Sequence, residues 1–318
     1  MNKFDVLIVG NYNVGNYGDD LLLKSCKQNL KDKSYKVLSP ENSDFCTFPA
    51  GIRSMLSFDR YIQPFKAVKL CKTVLFGGGG IFNSDKLQSF IIWMPILILA
   101  LLLKKKVYVF GHSFSSKPGF LFTKILSKVD LITVRDFKSY EFLNLAGLKN
   151  IQQSKDLALE LNFPKIEFEE PKYLLINYRT YKDIDLNKIK KIDEILSMKA
   201  KNLGLKKLYC AFDSKLDSEV FKSLGEDYLL AHELNNILPK VKYFACMRLH
   251  ACLFCLKNKI PGLALSYASK VKGLFNTFNF ENVVDLQSSD IKTLENFNFN
   301  SQLVDFKDIP GNPWEKLK

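Results

Sequence analysis

Residues Tyr243–Phe275 read YFACMRLHACLFCLKNKIPGLALSYASKVKGLF. The run FACM is typical of a buried strand, and RLHACLFCL carries its apolar residues at helical spacing. Arg248 and His250 therefore stand at the start of a predicted helix, where unpaired N–H groups and the helix dipole favour anions. A second short apolar run, PGLALSY, brings three more polar side chains towards the same edge: Ser266, Tyr267 and Lys270. The stretch predicts a strand–helix–strand unit with an anion-binding edge.

Two blocks stand out here, M-R-L-H at 247–250 and S-Y-x-x-K at 266–270. Taken singly, their residues have structural interpretations, since Arg248 and Lys270 suit a surface and His250 suits a core. Together the two blocks resemble the polysaccharide pyruvyl transferase family, whose members carry S/C-M-R-L-H followed by Y-x-x-K. Further matches along the chain extend this resemblance.

The composition predicts a folded protein with acidic partners. The chain has 318 residues, 47% of them hydrophobic, and a formal net charge of +13. That length suffices for two domains. The lysines are scattered and no nucleic-acid-binding motif accompanies them, so an anionic membrane surface and an anionic substrate are favoured over nucleic acid. A proline-bounded acidic segment at 164–171 marks the predicted boundary between domains 1–165 and 172–318, with the C-terminal tail packing back on the first domain.

Seven cysteines at irregular spacings do not form the pattern of a secreted disulfide framework. Met1–Gly10 runs straight into a predicted strand, so no signal peptide is evident and a cytoplasmic location is expected. Cys246, Cys252 and Cys255 surround His250 and raise the alternative of a metal site. Structural zinc usually needs paired C-x₂-C modules, and therefore buried thiols are the preferred interpretation.

The N-terminal segment predicts a strand, a glycine-rich loop and a helix. FDVLIVG at 4–10 is followed by NYNVGNYGDD and then LLLKSCKQNLK. The spacing is not G-x-G-x-x-G, so the dinucleotide fingerprint fails. The loop instead matches the family's G-N-x-G-D-[ED] opening through Gly15, Asn16, Gly18, Asp19 and Asp20. A tight turn with an acidic helix cap explains the same residues equally well.

Two further strands end in residues suited to a ligand. TVLFGGGG at 73–80 contains Gly78, Gly79 and Gly80, which permit close backbone approach, and the family has a G-G-[GS] element at this place. KVYVFG at 106–111 leads to His112, where the family has a turn that faces the cleft.

DLITVRD at 130–136 predicts a strand that ends at Arg135. The residues R-D-F-K-S match the family's R-[DE]-x-x-S motif. An arginine at this position is suited to bind carboxylate or phosphate bidentately. The structural alternative is that Arg135 pairs with Asp136 or with a helix end.

Phe90–Leu103 is an apolar run broken by Pro95 and followed by three lysines. It is shorter than the roughly 20 residues that span a bilayer. We expect a buried helix under the sheet; the alternative is a monotopic patch with Trp93 and the lysines near lipid head groups.

The alternation of strands and helices in both halves predicts an α/β fold with two Rossmann-like domains facing a cleft, the arrangement called GT-B. Ligands of such sheets bind outside the carboxyl ends of the strands. This rule places the glycine loops, Arg135 and His250 around one crevice.

The resemblance implies transfer of a pyruvyl group from phosphoenolpyruvate to a sugar, with no cofactor or metal. His250 is the expected general acid, because phosphate oxygens around a histidine favour its protonated form. Asp19 or Asp20 is expected to orient or deprotonate the acceptor, and the expected acceptor is a lipid-linked glycan at the inner face of the membrane. The expected donor-binding residues are Arg135, Arg248, Lys270, Tyr267, Ser266 and His112.

Two other classes remain open at this point. A GT-B glycosyltransferase with a nucleotide-sugar donor shares the architecture and the cationic phosphate contacts, and fold alone does not separate the two chemistries. The other class is a non-catalytic module that binds glycan or membrane.

Overall fold

The computed structural model describes residues 3–47, 59–83, 89–163, 165–287, 291–306 and 311–317, without the side chains of 59, 60, 269 and 270. The chain divides into two compact units. Unit 1 comprises Met1–Val14, Asp19–Leu161 and Ile309–Lys318, and unit 2 comprises Gly15–Gly18 and Asn162–Asp308. Each unit contains one parallel sheet, which confirms the predicted α/β class.

Unit 1 is built on a seven-stranded sheet with the order β3-β2-β1-β4-β5-β6-β7. All its strand pairs are parallel, so every connection is a crossover and the central strands are apolar on both faces. The strands are β1 (Phe4–Val9), β2 (Tyr35–Ser39), β3 (Phe45–Cys46), β4 (Cys71–Gly79), β5 (Lys106–His112), β6 (Leu131–Val134) and β7 (Ile151–Gln153).

Five α-helices of the described residues accompany this sheet, and the last four share one hydrophobic core against it. They are α1 (Tyr17–Asn29), α2 (Asp59–Leu70), α3 (Met94–Leu102), α4 (Phe120–Leu126) and α5 (Phe137–Leu145). Short 3₁₀ helices cover Leu157–Glu160 and Pro313–Leu317. The second of these packs Trp314 edge-on against Phe110, with ring centroids 5.6 Å apart.

The apolar run at 90–103 is helical, as expected. A π-helical turn, Ser89–Trp93, leads directly into α3, so Pro95 lies at their junction and does not end the helical run. Trp93 is buried in the core, so the part of the alternative that placed this side chain near lipid head groups is wrong. Within the described part of the chain, no helix has both the length and the apolar character needed to cross a bilayer.

Unit 2 is built on a six-stranded parallel sheet with the order β10-β9-β8-β11-β12-β13. Its strands are β8 (Tyr173–Asn177), β9 (Lys206–Ala211), β10 (Tyr228–Leu230), β11 (Val241–Cys246), β12 (Gly262–Ser266) and β13 (Val283–Asp285). Its helices are α6 (Leu186–Asn202), α7 (Leu216–Leu224), α8 (Leu249–Lys257), α9 (Ser269–Thr277) and α10 (Lys292–Asn296).

The strand order of unit 2 reverses between β8 and β11. Strands β9 and β10 follow on one side of β8, and β12 and β13 follow on the far side of β11. Helices on either side of such a reversal diverge, which opens a crevice beyond the carboxyl ends of the two strands. The residues that follow β8 and β11 are therefore the first place to look for a site.

Candidate active site

The ends of β8 and β11 are tied together through Asn177. Its backbone carbonyl accepts a hydrogen bond from the Met247 N–H at 3.0 Å, and its side-chain oxygen accepts one from the Arg248 N–H at 3.0 Å. These bonds fix the chain that leads into α8. As predicted, a strand enters a helix here, and Arg248 immediately precedes its first turn.

Arg248 is buried and forms an internal ion-pair network. Its Nε and Nη2 donate to Asp217 Oδ1 at 3.0 and 2.7 Å, and Nη2 lies 3.0 Å from Asp213 Oδ2. Burial opposes the charge of this guanidinium, but the two carboxylates raise its pKa and keep it cationic. Arg248 was expected to bind the donor. In the structure its positive charge is already balanced by the two carboxylates.

Asp217 holds several elements of unit 2 at once. Besides Arg248, its carboxylate accepts hydrogen bonds from Asn177 Nδ2 at 2.9 Å and from the backbone N–H groups of Phe212 and Asp213 at 3.0 and 3.1 Å. A buried carboxylate with this many donors is a structural centre. It sets the position of the segment that starts α8.

His250 is the second residue of α8 and is half-buried. Its imidazole lies against the α-carbon of Gly18, where an added Cβ would be 2.2 Å from Nδ1 and 2.8 Å from the Cβ of His250. The loop Gly15–Gly18 belongs to unit 2 by its contacts. The Tyr17 N–H donates to the Phe212 carbonyl at 2.8 Å, and the Ser214 N–H donates to the Gly15 carbonyl at 2.8 Å. The glycine loop thus packs directly on the predicted catalytic histidine.

Arg179 is a candidate site residue that the sequence analysis did not single out. It follows β8, and its N–H donates to the Met247 sulfur at 3.4 Å. Its guanidinium lies 4.8 Å from the Tyr267 ring centroid, and its Nη1 donates to the Tyr267 hydroxyl at 3.1 Å. Arg179 is half-buried and has no carboxylate partner among the contacts of the described residues. Its place after an apolar strand, the same signal used for Arg135, would have found it.

Two predicted donor-binding residues accompany Tyr267. Ser266 is buried at the end of β12, and its hydroxyl donates to the Ala268 carbonyl at 3.2 Å. Lys270 falls in the first turn of α9, and its side chain lies outside the described residues.

In unit 1, Arg135 follows β6 and is buried. Its Nη1 donates to Asp156 Oδ2 at 2.5 Å, and its Nε donates to Ser113 Oγ at 2.7 Å. Asp136 instead caps α5, accepting the Ser139 N–H at 2.8 Å. The carboxylate partner of Arg135 is therefore Asp156, which lies 21 residues along the chain, and not the neighbouring Asp136.

His112 is fully buried in unit 1. Its ring stacks on Phe82 with centroids 5.6 Å apart, and its Nδ1 is 3.0 Å from the Phe110 carbonyl oxygen. Burial, with the nearby Arg135 charge, lowers its pKa to about 3. His112, the last residue of β5, is thus neutral at pH 7 and supplies no positive charge, and its part in donor binding stays a prediction.

The glycine run at the end of β4 adopts a backbone that other residues rarely take. Gly78 and Gly79 have φ values of 88° and 89°. An added Cβ at Gly79 would meet nothing within 4 Å, whereas one at Gly78 would approach Leu22 and Leu157. Glycine is therefore required at 79 by conformation and at 78 by conformation and packing. Gly80 accepts a hydrogen bond from the Asn83 side chain at 2.9 Å.

Asp19 and Asp20 lie in the first turn of α1, where the dipole favours their charge. Asp20 Oδ1 accepts the Asn13 N–H at 2.7 Å, and burial raises the pKa of this carboxyl. Asn16 Oδ1 accepts the Gly18 N–H at 3.1 Å. These contacts agree with the structural interpretation of the loop and leave its acceptor role a prediction.

Within the described residues, no group of three or more His, Cys, Asp or Glu side chains is arranged to hold a metal ion. Cys246, Cys252 and Cys255 are buried, and burial raises the pKa of each thiol. They pack as small apolar side chains of the core.

Two solved structures resemble the chain across most of its length. Methanocaldococcus jannaschii UDP-GlcNAc 2-epimerase gives a TM-score of 0.56 at 10% identity, covering 93% of this chain and 95% of its own. MnaA of S. aureus, in a co-structure with UDP, gives 0.56 at 13% identity, covering 90% and 84%. At these identities the likeness concerns the fold alone. That fold is of the GT-B type.

The family follows from the sequence. The profile described as polysaccharide pyruvyl transferase matches residues 16–269, which is most of the chain. The protein belongs to the polysaccharide pyruvyl transferase family and is a transferase by that membership. No curated protein gives a significant match.

Proposed function

We propose that this transferase moves the pyruvyl group of phosphoenolpyruvate onto two hydroxyls of one sugar, forming a cyclic ketal and releasing phosphate. The observation that carries the proposal is the position of the His250 imidazole. It lies at the start of α8 and packs against Gly18. Both residues belong to unit 2 and fall within the segment that matches the family.

The donor carries a carboxylate and a phosphate, so it requires cations and N–H groups. Arg179 stacks on Tyr267 at the same strand ends and has no carboxylate among its described contacts. The N–H groups of the first turn of α8 favour an anion there. Each charge-assisted hydrogen bond contributes about 1.5–3 kcal/mol. We therefore assign donor binding to Arg179, Tyr267 and the start of α8, with Lys270 as a further candidate.

Arg248 has a different role in this proposal. Its guanidinium is held by Asp217 and Asp213, so it positions the start of α8 rather than neutralising the donor. Arg135 is likewise held by Asp156, and its proposed contact with the donor rests on the family motif.

The reaction balances without an oxidant, a reductant or a cofactor. His250 donates a proton to the methylene carbon of the enol, which makes the adjacent carbon electrophilic. One sugar hydroxyl adds to that carbon, and the second displaces phosphate. Of the two protons that the hydroxyls release, one restores His250 and the other leaves with phosphate. The role of Asp19 or Asp20 towards the acceptor stays a prediction from the family motif.

The proposed acceptor is a lipid-linked glycan, an assignment that rests on the family's polysaccharide substrates and is separate from the donor assignment. Phosphate release from phosphoenolpyruvate, measured with a panel of glycans, tests both. We expect phosphate release only with a glycan that has two suitably spaced hydroxyls. If no glycan of the panel leads to phosphate release, the proposed transfer is refuted.

Donor identity has its own test in ligand-induced thermal stabilisation. Phosphoenolpyruvate is expected to raise the melting temperature, and His250→Gln is expected to retain this binding while losing turnover. Stabilisation by UDP or CMP, without any by phosphoenolpyruvate, would instead support a nucleotide-sugar transferase.

A further inference from the structure

One face of unit 1 exposes an unusual amount of apolar surface. Of the fifteen large apolar side chains that are exposed among the described residues, eleven lie on α2, α3, α4 and α5 or on the segments at their ends. The most exposed include Leu102 at 74%, Phe120 at 84% and Leu121 at 61%. Single exposed apolar residues are ordinary, but their concentration on one group of helices marks an interaction surface.

These helices lie in one layer. Val68 of α2, Leu97 of α3, Leu126 of α4 and Leu143 of α5 belong to the same buried core. The exposed residues project from the other sides of the same helices. Because the inner side of each helix faces a shared core, the outer sides form one surface.

Apolar contacts link neighbouring helices within this surface. The rings of Phe90 and Phe122 are 4.6 Å apart and join the π-helical turn to α4. Between α2 and α3 runs a shallow groove lined by Tyr61, Pro64 and Ile96 among others. The apolar surface therefore continues from α2 to α4.

The charge of this region is predominantly positive. The described residues 61–83 and 89–128 contain nine lysines and no aspartate, glutamate or arginine. Several of the lysines are exposed on the helices or at their ends, among them Lys66, Lys69, Lys104, Lys106, Lys124 and Lys128. A surface that is both apolar and rich in lysine matches a layer that presents anionic groups above an apolar interior.

We propose that α2, α3 and α4 of unit 1 form a docking surface for an anionic phospholipid bilayer. The exposed aromatic and aliphatic side chains enter the headgroup region, and the lysines bind the lipid phosphates. A second copy of the chain fits this surface poorly, because it would place lysines opposite lysines. Nucleic acid would satisfy the lysines but leave the apolar side chains without a role. The proposal does not depend on the transfer reaction.

Co-sedimentation of the full chain with vesicles tests the proposal. We expect binding to vesicles that contain phosphatidylglycerol, little binding to phosphatidylcholine alone, and weakening as salt screens the lysines. The double variant Phe120→Ser and Leu121→Ser should lower the vesicle affinity about tenfold or more, because two large apolar side chains are lost. Met198→Ser on α6, 60% exposed in unit 2, is the matched control and should bind like wild type.

The charge contribution has its own pair of variants. Lys104→Glu with Lys106→Glu should weaken binding to phosphatidylglycerol vesicles, whereas Lys190→Glu with Lys191→Glu on α6 should not. Circular dichroism and melting temperature verify that each variant is folded.

Binding that is absent, or lost equally in the controls, would overturn the proposal. So would a dimer that the Phe120 and Leu121 changes dissociate, since a second copy would then cover the surface. Phosphate release with a soluble glycan is measured separately, so failure of either proposal is distinguishable.

Discussion

The α-carbon of Gly18 lies so close to the imidazole of His250 that any side chain at position 18 would overlap the ring. An added Cβ would stand 2.2 Å from Nδ1 and 2.7 Å from Cγ. Both distances are shorter than Cβ contacts allow, and Cγ is not the mobile end of a flexible chain. The need for glycine at position 18 is therefore explained by the contact with His250, and no ligand has to be invoked.

Gly18→Ala is expected to displace the imidazole and to reduce turnover about 100-fold or more, the scale of a lost general acid. The melting temperature should change much less than the activity, because the ring can shift without unfolding unit 2. The measurement is phosphate release at saturating phosphoenolpyruvate.

Gly273→Ala is the matched control for this variant. Gly273 lies inside α9, and an added Cβ would meet nothing within 4 Å. Alanine there should leave turnover unchanged and stabilise the helix by up to about 1 kcal/mol. Equal losses in the two variants, or full activity of Gly18→Ala, would contradict the role given to Gly18.

Arg179→Leu is expected to raise the concentration of phosphoenolpyruvate needed for half-saturation by about 10- to 100-fold, the effect of one lost charge-assisted hydrogen bond. Lys182→Leu is its control. Lys182 is exposed, lies 5.5 Å from the Tyr181 ring centroid, and has no assigned contact with the donor. An unchanged half-saturation in Arg179→Leu, or the same change in both variants, would remove Arg179 from the donor site.

Asp217→Asn is expected to lower the free energy of unfolding by about 3–5 kcal/mol, because it leaves the buried Arg248 without its main counter-charge. Asp213→Asn should cost less, since Asp213 makes one contact with the guanidinium and Asp217 makes three. Urea denaturation measures both. The reverse order of the two losses would show that Asp213 is the principal partner.

The pH dependence of stability reports on His112. Its folded pKa of about 3 lies below the ordinary value of 6.5, so between these values the unfolded chain binds a proton that the folded chain does not. Stability should therefore fall as the pH drops through this window, by up to about 1.4 kcal/mol per pH unit from this residue. In His112→Asn this component should disappear, so the difference in unfolding free energy between wild type and variant should change between pH 7 and pH 5. A constant difference would mean that His112 titrates normally in the fold.

Short-range signals in the sequence predicted much of the fold. The apolar runs at 4–10, 73–80 and 106–111 are strands of unit 1, and Asp136 caps the helix that follows Arg135. These features depend on neighbouring residues, so they are visible in the sequence.

The charge pairing was not predictable in this way. Asp217 meets Arg248 across 31 positions, and Asp156 meets Arg135 across 21. Nothing in the residues between them marks either pairing, because sheet topology alone brings each pair together. The same limit applies to His112. Its position at the end of a strand is typical of a site residue, but its ring is buried against Phe82. The contact of His250 with Gly18 spans almost the whole family match and likewise required the structure.

Transfer itself is the central claim, and the most direct measurement combines phosphoenolpyruvate, a glycan panel and purified protein. The account predicts phosphate release accompanied by a new ketal methyl signal in the proton spectrum of the glycan, both absent from His250→Gln. A ketal formed at the wild-type rate by His250→Gln would contradict the account, as would phosphate release without any ketal.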